Sequence, residues 1–157
     1  MSITPTPRRG EIWLVDFQKS VGAEIQKLRP AVVMSLDTLG RLPLRVVVPV
    51  TDWKPLYVGY VWFVYIPAST TNGLNKDSGA DAFQVKSVSE KRFAQSLSHK
   101  SVYAGSGVGR IANPSYGFED GHRGLPPCGT DSQRLGLVSA HELAAIATAV
   151  AVVVGKP

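Results

Sequence analysis

The sequence predicts a small, mainly β fold, a barrel or a sandwich, closed by one C-terminal helix. Two patterns carry that reading. Short runs rich in β-branched and aromatic residues recur between turn residues over the first ninety positions. Sustained helical patterning is confined to the end of the chain. A length of 157 residues, 44% of them apolar, is enough for one buried core.

Residues 1–8 are Pro/Thr-rich and read as a flexible N-terminus. EIWLVDF (Glu11 to Phe17) follows the turn signal Arg9-Gly10 and alternates as a strand does. QKSVGAEIQKL is polar and reads as a long loop. PAVVMSL (Pro30 to Leu36) is a strand with Pro30 at its first position, where a missing N–H does least harm. After the turn DTLGRLP, LRVVVPVT (Leu44 to Thr51) is a β-branched strand. The aromatic stretch YVGYVWFVYIP (Tyr57 to Pro67) is β-prone, and ADAFQVKSVS reads as a further strand beyond a Gly/Asn loop. EKRFAQSL reads as a short helical turn. SAHELAAIATAVAVVV opens with Ser139 and Glu142 in capping-box spacing and ends at Gly155, so it reads as a mostly buried helix.

Composition narrows the function classes. Formal net charge is +5, which favours a polyanionic partner without naming one. Cys128 is the only cysteine, so there is no intrachain disulfide framework and no multi-cysteine metal site, as suits a reducing cytosol. The N-terminus has no apolar core of a secretory signal, and LAAIATAVAVVVG is too short to span a bilayer. A cytoplasmic protein without membrane association is expected.

Four blocks then stand in a telling order: RGEIWLVDF, GAEIQKLRPAVVMS, VVVPVTDW and GLNKDSGADAFQVKSVSEKRF. Together they resemble the PemK/MazF family of toxin endoribonucleases, from Arg9 to Leu97, with the segment from Leu135 to Gly155 similar to the family's last helix. The patterns RG-x-[IV]-W, G-x-E-x(4)-RP and VP-[IV]-T are specific in combination. The resemblance implies an SH3-like β-barrel with a terminal helix, usually a homodimer. It implies sequence-specific cleavage of single-stranded RNA without metal or cofactor, restrained by a cognate antitoxin. Operator DNA would be contacted only through the antitoxin complex.

The resemblance assigns roles residue by residue. Arg29 falls on the catalytic arginine position and Thr51 on the active-site Thr/Ser position. Glu24 matches the common Glu before RP, where it can orient Arg29 or accept a proton. Lys27 adds a possible phosphate contact, and Gln84 and Lys86 fall in the block that lies near the RNA groove in related toxins. An always-charged, forked guanidinium suits a reaction whose transition state gathers charge on phosphate oxygens. Two positions depart from the pattern. Ala23 stands where some relatives have a histidine, and Phe83 where many have an acid. The nearest acid, Asp81, shares a face with Phe83 under strand alternation, which argues against a carboxylate base in that strand. A catalytically impaired module binding RNA or an antitoxin peptide is the alternative that these departures leave open.

Other residues are weighed against plainer roles. Trp13 belongs to the core by its place in an alternating strand. Trp53 and Tyr57 follow Thr51 in a loop and are candidates for base stacking. His99, His122 and His141 match no zinc spacing. GSGVG (Gly105 to Gly109) lacks the strand and helix that flank a phosphate loop. Residues 98–134 are Gly-rich, lack an apolar period and read as an inserted flexible loop, which costs little because closure entropy grows logarithmically.

Overall fold

The structure, a computed structural model, describes residues 6–39, 42–93 and 134–156. Seven strands and one α-helix form in chain order: β1 (Glu11–Asp16), β2 (Leu28–Val33), β3 (Leu44–Asp52), β4 (Phe63–Ile66), β5 (Ser78–Asp81), β6 (Lys86–Ser89), β7 (Arg134–Leu137) and α1 (Ala140–Val153). The strands join antiparallel in the order β4-β5-β3-β2-β1-β7, with β6 also on β3. This is the expected SH3-like architecture, formed as a curled half-barrel with one terminal helix.

β3 organises the sheet because it is long enough to serve two strands in succession. β6 pairs with Leu44 to Val47, and β5 takes over at Val50 to Asp52. β2 pairs from Ala31 onward, just past Pro30, which has no N–H to offer a ladder. Strand alternation then sorts the apolar residues onto two faces. Ile12, Val32, Val48 and Val50 face α1, where Ile146 joins their cluster. Trp13, Val15, Phe17, Ala31, Val33, Val47, Val88 and Phe93 form the second cluster. Each of the larger side chains contributes about 1.5–3 kcal/mol by its burial.

Trp13 lies in the core as expected. Its ring meets Phe93 edge-on, and its Nε1 donates to Glu11 Oε2 at 2.8 Å. Helix α1 forms with the expected caps, but the expectation of a mostly buried helix fails. Within Ala140–Val153 only Ile146 and Ala149 are buried, because one stripe packs on the sheet while the rest of the helix is half-buried or exposed. Ser139 Oγ accepts from the Glu142 amide at 3.2 Å, and Glu142 Oε2 accepts from the Ser139 amide at 2.7 Å. At the other end Gly155 takes φ +85°, while the Lys156 amide donates to Ala151 O and the Gly155 amide to Val152 O. That closing pattern satisfies the last carbonyls.

Five boundaries differ from the sequence reading, each for a local reason. β2 begins at Leu28, so Pro30 is its third residue and Arg29 lies inside the strand. It ends at Val33, before a 3-10 turn at Asp37–Leu39. Only Phe63–Ile66 of the aromatic stretch is strand. Pro55 opens a 3-10 turn, and Gly59 at φ +94° turns the chain before β4. ADAFQVKSVS splits into β5 and β6, because Asp81 caps a 3-10 turn at Ala82–Gln84. Arg134, placed by sequence at the end of the inserted loop, starts β7 and pairs with Glu11 Oε1 at 2.9 Å. Pro7, placed in the flexible N-terminus, is buried and its carbonyl accepts from Arg45 Nε at 3.0 Å. Of EKRFAQSL, Glu90–Arg92 is a 3-10 turn. Phe93 follows it in the core, whereas Ala94 to Leu97, His99, His122, Cys128 and GSGVG lie outside the described residues.

Candidate active site

The register of the sheet gathers the candidate catalytic residues. The β2–β3 ladder ends at the pair Ala31–Pro49, and Arg29 and Thr51, each two residues beyond that pair on its own strand, both line one cleft. Thr51 pairs in turn with Gly79 on β5, and Asp81, two residues on, pairs with Phe63 on β4. Partners across an antiparallel pair share a face, as do residues two apart on one strand. Arg29, Thr51, Asp81 and Phe63 therefore project from one face of four adjacent strands. They line an open cleft of about 460 Å³. Glycine is required between them: a Cβ on Gly79 would stand 3.1 Å from the Trp53 ring and 3.2 Å from Phe63.

The β1–β2 loop forms the cleft's other wall, with Ala23, Glu24 and Lys27 along it. Its backbone is turned back by Gly22 at φ +60° and Lys27 at φ +69°. Lys27 is a non-glycine residue in a sparsely populated region, held there while its carbonyl accepts from the Phe17 amide at 3.0 Å. Gln84 fastens the loop from below, accepting from the Ile25 amide and donating to Ala23 O at 3.4 Å. Lys86 Nζ binds Glu24 Oε2 at 3.0 Å. Arg29 Nε donates to Gln26 O at 3.1 Å, which ties the guanidinium to the same loop. Gln84 and Lys86, expected as RNA contacts, thus hold the loop that carries Glu24.

The two carboxylates of the cleft differ. Glu24 lies exposed on the rim, and the hydrogen bond from Lys86, then its charge, hold its carboxyl below the usual range. Asp81 is 9% exposed. Burial pushes its carboxyl up, against the lowering effect of hydrogen bonds from the Phe83 and Gln84 amides and the Gln84 side chain. Phe83, in contrast, is 66% exposed. The expectation that both share a face fails because the 3-10 turn ends the alternation at Asp81. Sequence did contain the signal: an Asp two positions before an amide is a common turn cap.

Trp53 is set off from the cleft, with its ring against Tyr57 and Tyr65. Tyr57 and Phe63 occupy the cleft position instead, stacked 4.0 Å apart and 4° from parallel. Sequence reasoning reached Tyr57 but missed Phe63, which looked like one more core position of a β-prone run. His141 is exposed in the first turn of α1.

Residues 8–103 match the family described as PemK-like, MazF-like toxin of type II toxin-antitoxin system. The chain is 36% identical over 102 residues to Endoribonuclease MazF9 of Mycobacterium tuberculosis, covering 60% of this chain and 83% of that protein. Its fold is similar to the crystal structure of MazF from Deinococcus radiodurans, with a TM-score of 0.59 at 19% identity over 98% of this chain and 99% of that one. It is also similar to an endoribonuclease in complex with its cognate antitoxin from a mycobacterial species, with a TM-score of 0.57 at 14% identity over 97% and 98% of the two chains. A match that spans the four blocks and the strands bearing Arg29, Thr51 and Asp81 leaves one conclusion: this chain belongs to the PemK-like, MazF-like toxins of type II toxin–antitoxin systems.

Proposed function

We propose that this toxin is a metal-independent endoribonuclease that cuts single-stranded RNA, messenger RNA above all, at short sequence motifs in the cytoplasm, and that a cognate antitoxin neutralises it. The observation that carries the reading is that Arg29 and Thr51, at adjoining ends of β2 and β3, line one open cleft. The 2′-hydroxyl beside the scissile phosphate attacks phosphorus, and negative charge grows on the phosphorane oxygens. Arg29 meets those oxygens with a fixed cation, and the Thr51 hydroxyl donates to the same phosphate. Lys27 on the loop adds positive charge where the backbone of the RNA would run. Glu24, paired to Lys86, holds the loop and orients Arg29 through it. The stacked Tyr57 and Phe63 offer a π-face to a neighbouring base, a role that sequence had given to Trp53 and Tyr57.

An acidic antitoxin segment fits the net charge of +5 and would compete with RNA for the cleft. A homodimer is the assembly we expect, as the family resemblance implies. The deciding experiment is cleavage of a long single-stranded RNA in EDTA, by wild type and by Arg29→Ala. We expect cuts at a recurrent motif that fall by at least about 100-fold in the variant while its circular dichroism is unchanged. Undiminished cleavage by Arg29→Ala would remove Arg29 from the mechanism.

A further inference from the structure

Every 2′-hydroxyl attack needs an acceptor for the hydroxyl proton, and the cleft holds two carboxylates. We propose that Asp81 is that acceptor, the general base of the reaction. The inference rests on the endoribonuclease reading above and adds a residue that the family resemblance did not assign. The geometry favours Asp81 over Glu24. Asp81 stands on the sheet face with Arg29 and Thr51, on the strand that pairs with Thr51. Glu24 lies on the rim instead: its side chain is 53% exposed and engaged by Lys86 Nζ at 3.0 Å. A carboxylate already paired with a cation is a weak base, whereas burial makes the Asp81 carboxylate a stronger one.

The step balances without a further reagent beyond water. The 2′-oxygen forms a bond to phosphorus while its proton passes to an Asp81 carboxylate oxygen. The bond from phosphorus to the 5′-oxygen breaks, and that oxygen takes a proton from water. The products are a 2′,3′-cyclic phosphate and a 5′-hydroxyl, and Asp81 returns its proton to solvent. The other titratable groups lining the cleft are Glu24 and Lys27 on the loop, Arg29 on β2 and Tyr57 after β3.

The plainer role of Asp81 is structural, since its Oδ1 accepts from the Phe83 amide at 3.1 Å and caps the turn. Asparagine caps turns equally well but takes no proton, so Asp81→Asn separates the two roles. The experiment is single-turnover RNA cleavage against pH for wild type and Asp81→Asn, with thermal unfolding of both. We expect the variant to fold and to lose at least about 100-fold at neutral pH. The wild-type rate should fall as pH drops through a carboxylate above the ordinary aspartate range, and the variant should lack that limb. Cleavage within a few-fold of wild type with the same limb overturns the proposal. So does a wild-type profile that is flat from about pH 4 to about pH 8, which needs no variant at all. An RNA with sulfur in place of the 5′-bridging oxygen leaves without protonation. A defect that persists on it marks a base, and one that vanishes marks an acid and overturns the assignment. Wild-type protein that leaves RNA intact overturns the endoribonuclease reading itself.

Discussion

Glu24 and Asp81 share one cleft, yet their surroundings move their carboxyl groups in opposite directions. The cause at Glu24 is a single partner, which makes it testable. Lys86→Met keeps the aliphatic stem but removes the donor and the charge, so the Glu24 carboxyl should rise toward its ordinary value. Carboxyl-detected NMR titration reads this directly, and an unmoved Glu24 would mean that Lys86 does not hold it in solution. The sign of the pH effect follows. A depressed folded-state value stabilises above the unfolded value and loses that contribution as pH falls through the folded one, so the pair matters above about pH 4. Because Glu24 is exposed, the effect should be weak and salt-sensitive. The consequence is positional: without Lys86, the loop keeps Gln84, the turn at Lys27 and the Arg29–Gln26 hydrogen bond but loses its tie at Glu24, and cleavage should fall more than stability does.

At the scale of elements, the informative feature is how β5, β6 and β7 are made. Period-two patterning over ADAFQVKSVS is good enough to read as one strand, and it fails because the Asp81 carboxylate, accepting from the Phe83 amide, outweighs it locally. That failure hid Asp81, since its position follows from where alternation stops. Arg29 and Thr51 were legible because each sits in a short specific block, and the register that joins them needs only those strands. β7 escaped notice because RLGL is short and its pairing depends on residues far away in sequence. Its Gly136 is fixed by a close approach: an added Cβ would lie 2.3 Å from Thr71 O and 2.5 Å from Asn72 C. Those are backbone atoms, held by the Leu137 amide donating to Thr71 O at 3.0 Å. Gly136→Ala should therefore push β7 off the β1 edge and cost about 1–3 kcal/mol, read as a lower midpoint in urea unfolding. An unchanged midpoint would mean that the 69–74 loop yields freely.

For the whole molecule, the question is what the long segment between β6 and β7 demands of the fold. Its two described ends lie on the same edge of β1. Val15 bridges to Phe93, and since its other edge is taken by Arg29, Phe93 must lie on the side where Trp13 pairs with Arg134. Two residues of β1 separate those contacts, about 7 Å along the strand. Residues 94–103 can cross that gap many times over, and the family match ends at residue 103. Every residue assigned to the cleft lies outside the segment that follows. Deleting residues 104–133 should therefore leave cooperative unfolding and RNA cleavage intact. It should raise stability by about 1 kcal/mol, because a shorter loop costs less entropy to close. Far-UV circular dichroism, urea unfolding and the cleavage assay on one preparation decide it. Loss of folding would show that the segment supplies part of the core. Retained folding with lost cleavage would place its contribution at the substrate or at the partner protomer, since the cleft's own residues would be untouched.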